Sequence, residues 1–158
     1  MEAIRMFLAF ACYHDFKVYQ MDVKSAFLNG DLEEEVYMEQ PEGFSLTDKE
    51  DYVCRLKKVL YGLKQAPRAW YSRLDNYLQK QGFKRGGVDK NLYIKAHENE
   101  LQIVVVYVDD IMFGSNREEL AKGFADKMKT EFEMPLIGEL SFYLGLQIQQ
   151  KNTCTFIS

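Results

Sequence analysis

The sequence predicts an α+β fold in which an antiparallel sheet carries helices packed on one face. Two observations lead there. Leu92–Ala96 and Leu101–Val108 form a hairpin signal across the polar segment His97–Glu100, and the run IVVVYV in the second strand is almost wholly apolar, as in a buried central strand. Segments of helical spacing are interspersed with such strands, and no linker, repeat or low-complexity tract divides them. One domain over residues 1–158 is therefore the economical reading.

Taken in order, residues 2–14 read as an amphipathic helix, with Ile4, Phe7, Leu8 and Ala11 at helical spacing. Met6–Cys12 has the apolarity of a short signal-peptide core, but Glu2 and Arg5 flank it and charged residues follow, which favours the amphipathic helix. Lys17–Asp22 alternates as a strand does and runs into Asp22. A tight helical segment, Ser25–Leu28, and an Asn29-Gly30 turn come next. Val36–Glu39 and Tyr52–Leu56 read as short strands around an irregular acidic loop containing Pro41 and Gly43. Pro67 suits the first turn of a helix that runs to about Gln81 and ends at Gly82. After Ile111–Phe113, Ser115-Asn116 leads into a helix reaching about Phe132, with Asn116 and Glu119 spaced as a capping box. Phe142–Gln149 reads as a further strand, with Thr155–Ile157 as its partner.

A chain of 158 residues, 47% hydrophobic and 28% charged, has the make-up of a globular domain. No apolar run approaches the roughly 20 residues of a membrane-crossing helix. Cys12, Cys54 and Cys154 are widely spaced and odd in number, which argues against a disulfide framework or zinc site and fits a reducing compartment. The formal charge of −4 runs against a general nucleic-acid-binding surface, but the charge is segregated. Asp31–Asp51 holds nine acidic residues against Lys49 alone, whereas Cys54–Leu74 holds Arg55, Lys57, Lys58, Lys64, Arg68 and Arg73 with no acid. These blocks read either as two solvated faces or, for the basic one with its interleaved Tyr61, Trp70 and Tyr71, as a cradle for a phosphate backbone or triphosphate.

The sharpest local feature is Tyr107-Val108-Asp109-Asp110. Adjacent carboxylates at the end of a buried apolar strand are costly unless compensated, although Asp is also common in plain β-turns. Asp22 ends a second hydrophobic strand. Were the two strands neighbours, three carboxylates would converge, a hard-oxygen set suited to Mg²⁺ together with substrate phosphates. Two such ions about 4 Å apart serve an attacking hydroxyl and a leaving pyrophosphate. His14 and His97 are isolated, so no soft-metal cluster competes. In YGLKQAPRAW (Tyr61–Trp70), Lys64, Arg68, Gly62 and a helix starting near Pro67 offer positive charge and a helix N-terminus to phosphate; solvated basic residues at a loop–helix junction would look the same.

The segments QMDVKSAFLNG (Gln20–Gly30), LEEEVYMEQPEGF (Leu32–Phe44), RLKKVLYGLKQAPRAW (Arg55–Trp70), YVDD (Tyr107–Asp110) followed by IMFGSN, and FYLGLQIQ (Phe142–Gln149) resemble the reverse transcriptases of copia-type retrotransposons, particularly plant ones. The five segments, in order, span nearly the whole chain. The resemblance implies a right-hand polymerase, with this chain supplying the palm and part of the fingers. It implies RNA-directed DNA synthesis on an RNA or DNA template–primer from deoxynucleoside triphosphates, with two Mg²⁺ ions for which Mn²⁺ can substitute. By position, Asp22 and Asp109 are the aspartates that hold both metals, Asp110 is the third, and the Val23 carbonyl faces a metal. Phe27 falls at the steric gate against the sugar 2′-hydroxyl. Tyr61, Gly62, Lys64 and Val108 fall at the nucleotide. Tyr61 stands where many retroviral enzymes carry Gln, which puts that side-chain contact in question. Tyr107, Pro67, Arg68 and the turn Leu144-Gly145-Leu146 fall at primer or template. Lys127 and Lys129 lie in the helix near which a general-acid lysine is found in this superfamily, and neither is assigned that role.

The resemblance further implies partners in the rest of a Pol polyprotein (remaining fingers, thumb, connection and RNase H), no membrane association, and a cytoplasmic retroelement particle as the location. Relative to such enzymes the chain reads as truncated, with the basic residues that clamp the triphosphate missing. The isolated chain is accordingly expected to polymerise poorly, and the alternative reading is a non-catalytic transposon remnant that binds nucleic acid weakly.

Overall fold

The computed structural model describes residues 2–44, 51–151 and 154–158. In chain order the elements are α1 (Glu2–Tyr13), β1 (Lys17–Asp22), a 3₁₀ turn (Ala26–Asn29), β2 (Tyr37–Met38), β3 (Cys54–Arg55), α2 (Ala66–Lys80), β4 (Lys84–Arg85), β5 (Leu92–His97), β6 (Glu100–Tyr107), β7 (Asp110–Ser115), α3 (Glu118–Glu131), β8 (Leu136–Glu139), β9 (Phe142–Tyr143), β10 (Leu146–Lys151) and β11 (Cys154–Ile157). They fall into two compact units, Met1–Lys24 with Asn76–Ser158, and Ser25–Asp75. The protein is mixed α/β, and every strand pair among the described residues is antiparallel.

In the larger unit six strands run in the order β4-β5-β6-β7-β1-β8, and β11-β10-β9 form a second sheet. β6 lies at the heart of the first sheet because Ile103, Val104, Val105 and Val106 are all buried. Side chains alternate across a strand, so four consecutive buried residues require cover on both faces. On one face α1 contributes Ile4, Phe7, Leu8 and Ala11 to a cluster with Val18, Ile103, Val105 and Met112, joined by Tyr143 and Ile148 of the second sheet. Gly114 permits that approach, since a Cβ there would sit 2.9 Å from the Lys17 carbonyl oxygen and 3.3 Å from Phe7 Cζ. On the other face α3 packs Phe124 against Phe113, with ring centroids 4.9 Å apart, and Tyr19 stacks beside Phe113 from β1. The expected single helical face is thus corrected: α1 and α3 cover opposite faces, for the reason that the apolar run in β6 already carried.

The C-terminal turns of α2 join α3's side, where Tyr77 meets Phe132 edge-on and donates its hydroxyl to the Lys127 carbonyl at 3.0 Å. Gly82 ends α2 as anticipated. Its φ of 88° allows its N–H to reach the Gln79 carbonyl and the Phe83 N–H to reach that of Leu78, the paired bonds of a Schellman cap.

Two local expectations give way, and two short strands escape the sequence pattern. Asn116 does not cap α3: its side chain accepts from the Leu101 N–H and donates to the Asn99 carbonyl, tying down the β5–β6 loop, and Arg117 stands at the cap without a side-chain capping bond. Phe142–Gln149 is not one strand, because Leu144 and Gly145, both at positive φ, turn the chain between β9 and β10. The short strands β4 and β8 carry too little apolar alternation to be read from sequence.

In the smaller unit β2 pairs with β3, and the start of α2 buries Ala66, Trp70 and Leu74. Gly30 packs against α2, where a Cβ would lie 2.9 Å from the Trp70 backbone nitrogen. Residues 45–50 of the anticipated acidic loop lie outside the described residues. The flanking parts show that the two charge blocks pair with each other. Arg55 meets Glu35 and Lys58 meets Asp31, each at 2.8 Å, and Lys58 holds the Asp31 carboxyl below its usual range. Among the described residues, no helix is long and apolar enough to cross a membrane.

Candidate active site

β6 ends at Tyr107 and β7 begins at its cross-strand partner Asp110, so Val108 and Asp109 form a two-residue turn. Val108 sits at φ 57°, a left-handed conformation that a β-branched side chain adopts only at a cost of about 1–3 kcal/mol. Tyr107 and Val108 both stand about half exposed at this rim.

The neighbour relation that the carboxylates require is present. β1 pairs with β7 in a register that sets Asp22 opposite Asp110. Beyond Asp22, the Val23 N–H donates to the Asp109 carbonyl at 3.0 Å and the Lys24 N–H to that of Glu133, so the chain leaves the sheet in a defined direction. On the other side of β1, the pairing with β8 shifts by one residue between Gln20 and Met21, a bulge close to Asp22.

Asp22 carries the electrostatic signature of this convergence. Its pKa is raised above the ordinary 3.8, first by burial and then by the charges of Asp109 and Asp110, all acting in the same direction. Asp110 is steadied by Gln20, whose side-chain amide donates to Asp110 Oδ1 at 2.9 Å. Gln20 was not singled out from sequence, although its position two residues before Asp22 puts both on one face of β1. Among the described residues, no three His, Cys, Asp or Glu side chains are drawn together as a ready-made metal cage. The donors nevertheless fit Mg²⁺, which takes one or two hard carboxylates and fills its shell with water and phosphate oxygens. Like charges gathered without such an ion repel.

The other expected residues occupy two places. Leu144 and Gly145, at φ 48° and 86°, form the β9–β10 turn, and Leu146 follows it, packed against the core cluster of the larger unit. In the smaller unit Phe27, on the 3₁₀ turn, lies against Tyr61 with ring centroids 4.3 Å apart. Gly62 takes φ 92° in the following loop, and Lys64, Pro67 and Arg68 are exposed around the start of α2.

Residues 1–158 match the family described as "Reverse transcriptase (RNA-dependent DNA polymerase)". The chain belongs to this family. It is 44% identical over 155 residues to the "Retrovirus-related Pol polyprotein from transposon TNT 1-94" of Nicotiana tabacum, across 97% of this chain and 12% of that protein. It is 39% identical over 156 residues to the corresponding polyprotein from transposon RE1 of Arabidopsis thaliana, across 99% of this chain and 11% of that one. A more distant relative is the "Transposon Ty1-MR1 Gag-Pol polyprotein" of Saccharomyces cerevisiae, 31% identical over 157 residues. The resemblance to plant copia-type elements is thereby shown. This reverse transcriptase chain spans about an eighth of the plant Pol polyproteins or less.

Proposed function

We propose that this chain is the catalytic portion of an RNA-directed DNA polymerase that adds deoxynucleotides to a primer 3′ end. The observation that supports this best is the placement of Asp22 opposite Asp110 and beside the Val108-Asp109 turn, with the Asp22 pKa raised by burial and by the charges of Asp109 and Asp110. In this reading Asp22, Asp109 and Asp110, with the Val23 carbonyl, hold two Mg²⁺ ions, or Mn²⁺ in their place. Bound there, the ions would favour the ionised primer hydroxyl and offset charge on the departing pyrophosphate. The primer 3′-oxygen forms a bond to the α-phosphorus, the bond to the β-phosphate bridging oxygen breaks, and the hydroxyl proton passes to solvent.

The residues divide the remaining tasks. Gln20 orients Asp110 through its amide. The half-exposed Tyr107 and the turn at Leu144, Gly145 and Leu146 present surface to the primer end, and Val108 to the primer end or the incoming nucleotide's sugar. Phe27 gates the sugar 2′ position, with Tyr61 at its face. Gly62, Lys64, Pro67 and Arg68 meet the nucleotide phosphates and the template. The sheet-bearing unit corresponds to the palm and the smaller one to part of the fingers. The other domains of a Pol polyprotein complete the enzyme, within a cytoplasmic retroelement particle.

The test is gel-resolved primer extension with Mg²⁺ or Mn²⁺, comparing the chain, its Asp109→Asn variant and a longer polyprotein segment containing it. Extension by the longer segment that disappears with Asp109→Asn supports the reading. A folded longer segment that extends no primer, or one indifferent to Asp109→Asn, overturns it.

A further inference from the structure

The register that sets Asp22 and Asp110 on one face of the sheet also fixes what lies behind them. Tyr107, Asp110 and Asp22 form the row at the rim; Val105, Met112 and Gln20 form the next; Ile103, Gly114 and Val18 the third. Tyr143 of β9 packs over this same face, in the cluster with Val18, Ile103, Val105 and Met112, and is only 1% exposed. Among the described residues its hydroxyl is the only buried side-chain nitrogen or oxygen without a hydrogen-bond partner. Burial raises its pKa first, followed by the charge of Asp110 and then Tyr107 and Asp109, so the group is a protonated donor at neutral pH. Nine or more in ten buried polar groups are satisfied in folded proteins, and phenylalanine would fill the same space without an orphaned hydroxyl.

We propose that Tyr143 is a positioning residue whose hydroxyl donates to the Asp110 carboxylate once a divalent cation occupies the aspartate site. This rests on the reading of the three aspartates given above. In the metal-free chain Gln20 holds Asp110 Oδ1, and burial together with the charges of Asp109 and Asp110 raises the Asp22 pKa. With a cation bound, the repulsion among these charges would be offset, and the Tyr143 phenol would restrain Asp110 from the packed face while Gln20 restrains it from β1. A carboxylate has lone pairs for both donors and the ion. Outer donors of this kind orient ligands toward a metal, and their loss weakens binding or activity by about 10–100-fold.

The probe is Mn²⁺ alone, titrated into the 158-residue chain while the electron-paramagnetic-resonance signal of the free ion is followed. Tyr143→Phe is expected to raise the apparent dissociation constant about 10-fold or more. In the same variant the melting temperature in EDTA should hold or rise, since an unsatisfied hydroxyl has gone. Replacing Tyr143 by 4-aminophenylalanine, which restores a donor at the ring tip, should recover affinity, and it carries the test should Tyr143→Phe fold poorly. Mn²⁺ affinity equal in the parent and Tyr143→Phe, or no recovery with the amino ring, overturns the inference while leaving the aspartate reading in place. A parent that binds Mn²⁺ no better than Asp22→Asn overturns the aspartate reading, and this inference with it.

Discussion

Asp22→Asn should make the metal-free protein more stable at neutral pH while removing a residue on which the proposed chemistry depends. Asp22 and Asp110 are direct cross-strand partners, and like charges so placed destabilise a sheet by roughly 0.2–1 kcal/mol. Burial of Asp22 and the nearby Asp109 act in the same sense. In a domain of this size 1 kcal/mol moves the melting temperature by about 2–4 °C, so a rise of about 1–4 °C is expected. The direction with pH follows from linkage. A carboxyl whose pKa is higher folded than unfolded favours the fold when protonated. That contribution is fully present below the unfolded value near 3.8 and is lost as pH rises through the folded value. The variant's advantage should therefore appear at pH 7 and vanish at about pH 3.5, where the parent's Asp22 is itself neutral. Scanning calorimetry in EDTA at both pH values decides the matter. A lower melting temperature for Asp22→Asn at pH 7, or an equal gain at pH 3.5, would refute the reasoning. If Asp22 holds the ion as proposed, saturating Mg²⁺ should reverse the order, because the parent then gains more binding energy from it.

Asp109→Asn should leave the circular-dichroism spectrum unchanged and reduce primer extension by an active longer segment at least about 100-fold, the scale of losing one preorganised electrostatic contact. Val108→Gly should stabilise the turn by about 1 kcal/mol in urea unfolding, because glycine adopts φ 57° without steric cost. Gly30→Ala should cost about 1–3 kcal/mol by the same assay, since its Cβ would meet the backbone of α2 at Ala69 and Trp70, which cannot rotate away.

Much of this was legible in the sequence because short-range rules govern it. The β5–β6 hairpin, β1 and the helix ends at Tyr13 and Gly82 follow from periodicity and glycine chemistry, and β1 ends at Asp22 as its pattern indicates. The features that escaped depend on long-range partners. Asn116 has the composition of a helix cap, but its amide is claimed by Leu101 and Asn99, 15 and 17 residues away. The acidic and basic blocks look like separate faces until β2–β3 pairing brings Glu35 to Arg55. Likewise the Gln20–Asp110 hydrogen bond and the packing of Tyr143 arise only once β1 lies beside β7 and the β9–β10 turn folds over the same face.

That dependence on register explains why the core is packed as it is behind the aspartates. A slip of one residue between β1 and β7 would move Asp22 to the face covered by α3 and leave Asp110 alone. Such a slip is resisted by Met21, Ile111 and Met112, each fully buried, and by the Tyr19–Phe113 pair, all within three residues of a carboxylate. Against this well-satisfied background two local costs gather at one end of the sheet, a β-branched residue at positive φ and a like-charge cross-strand pair, while an orphaned phenol lies in the core packed on the same face. Departures from good packing that cluster where the surrounding core is complete mark a site held ready for something else to satisfy it. A divalent cation would relieve the charge and, through Asp110, engage the phenol; the strain at Val108 would remain, which is why only that residue's replacement should stabilise the loaded and the empty protein alike.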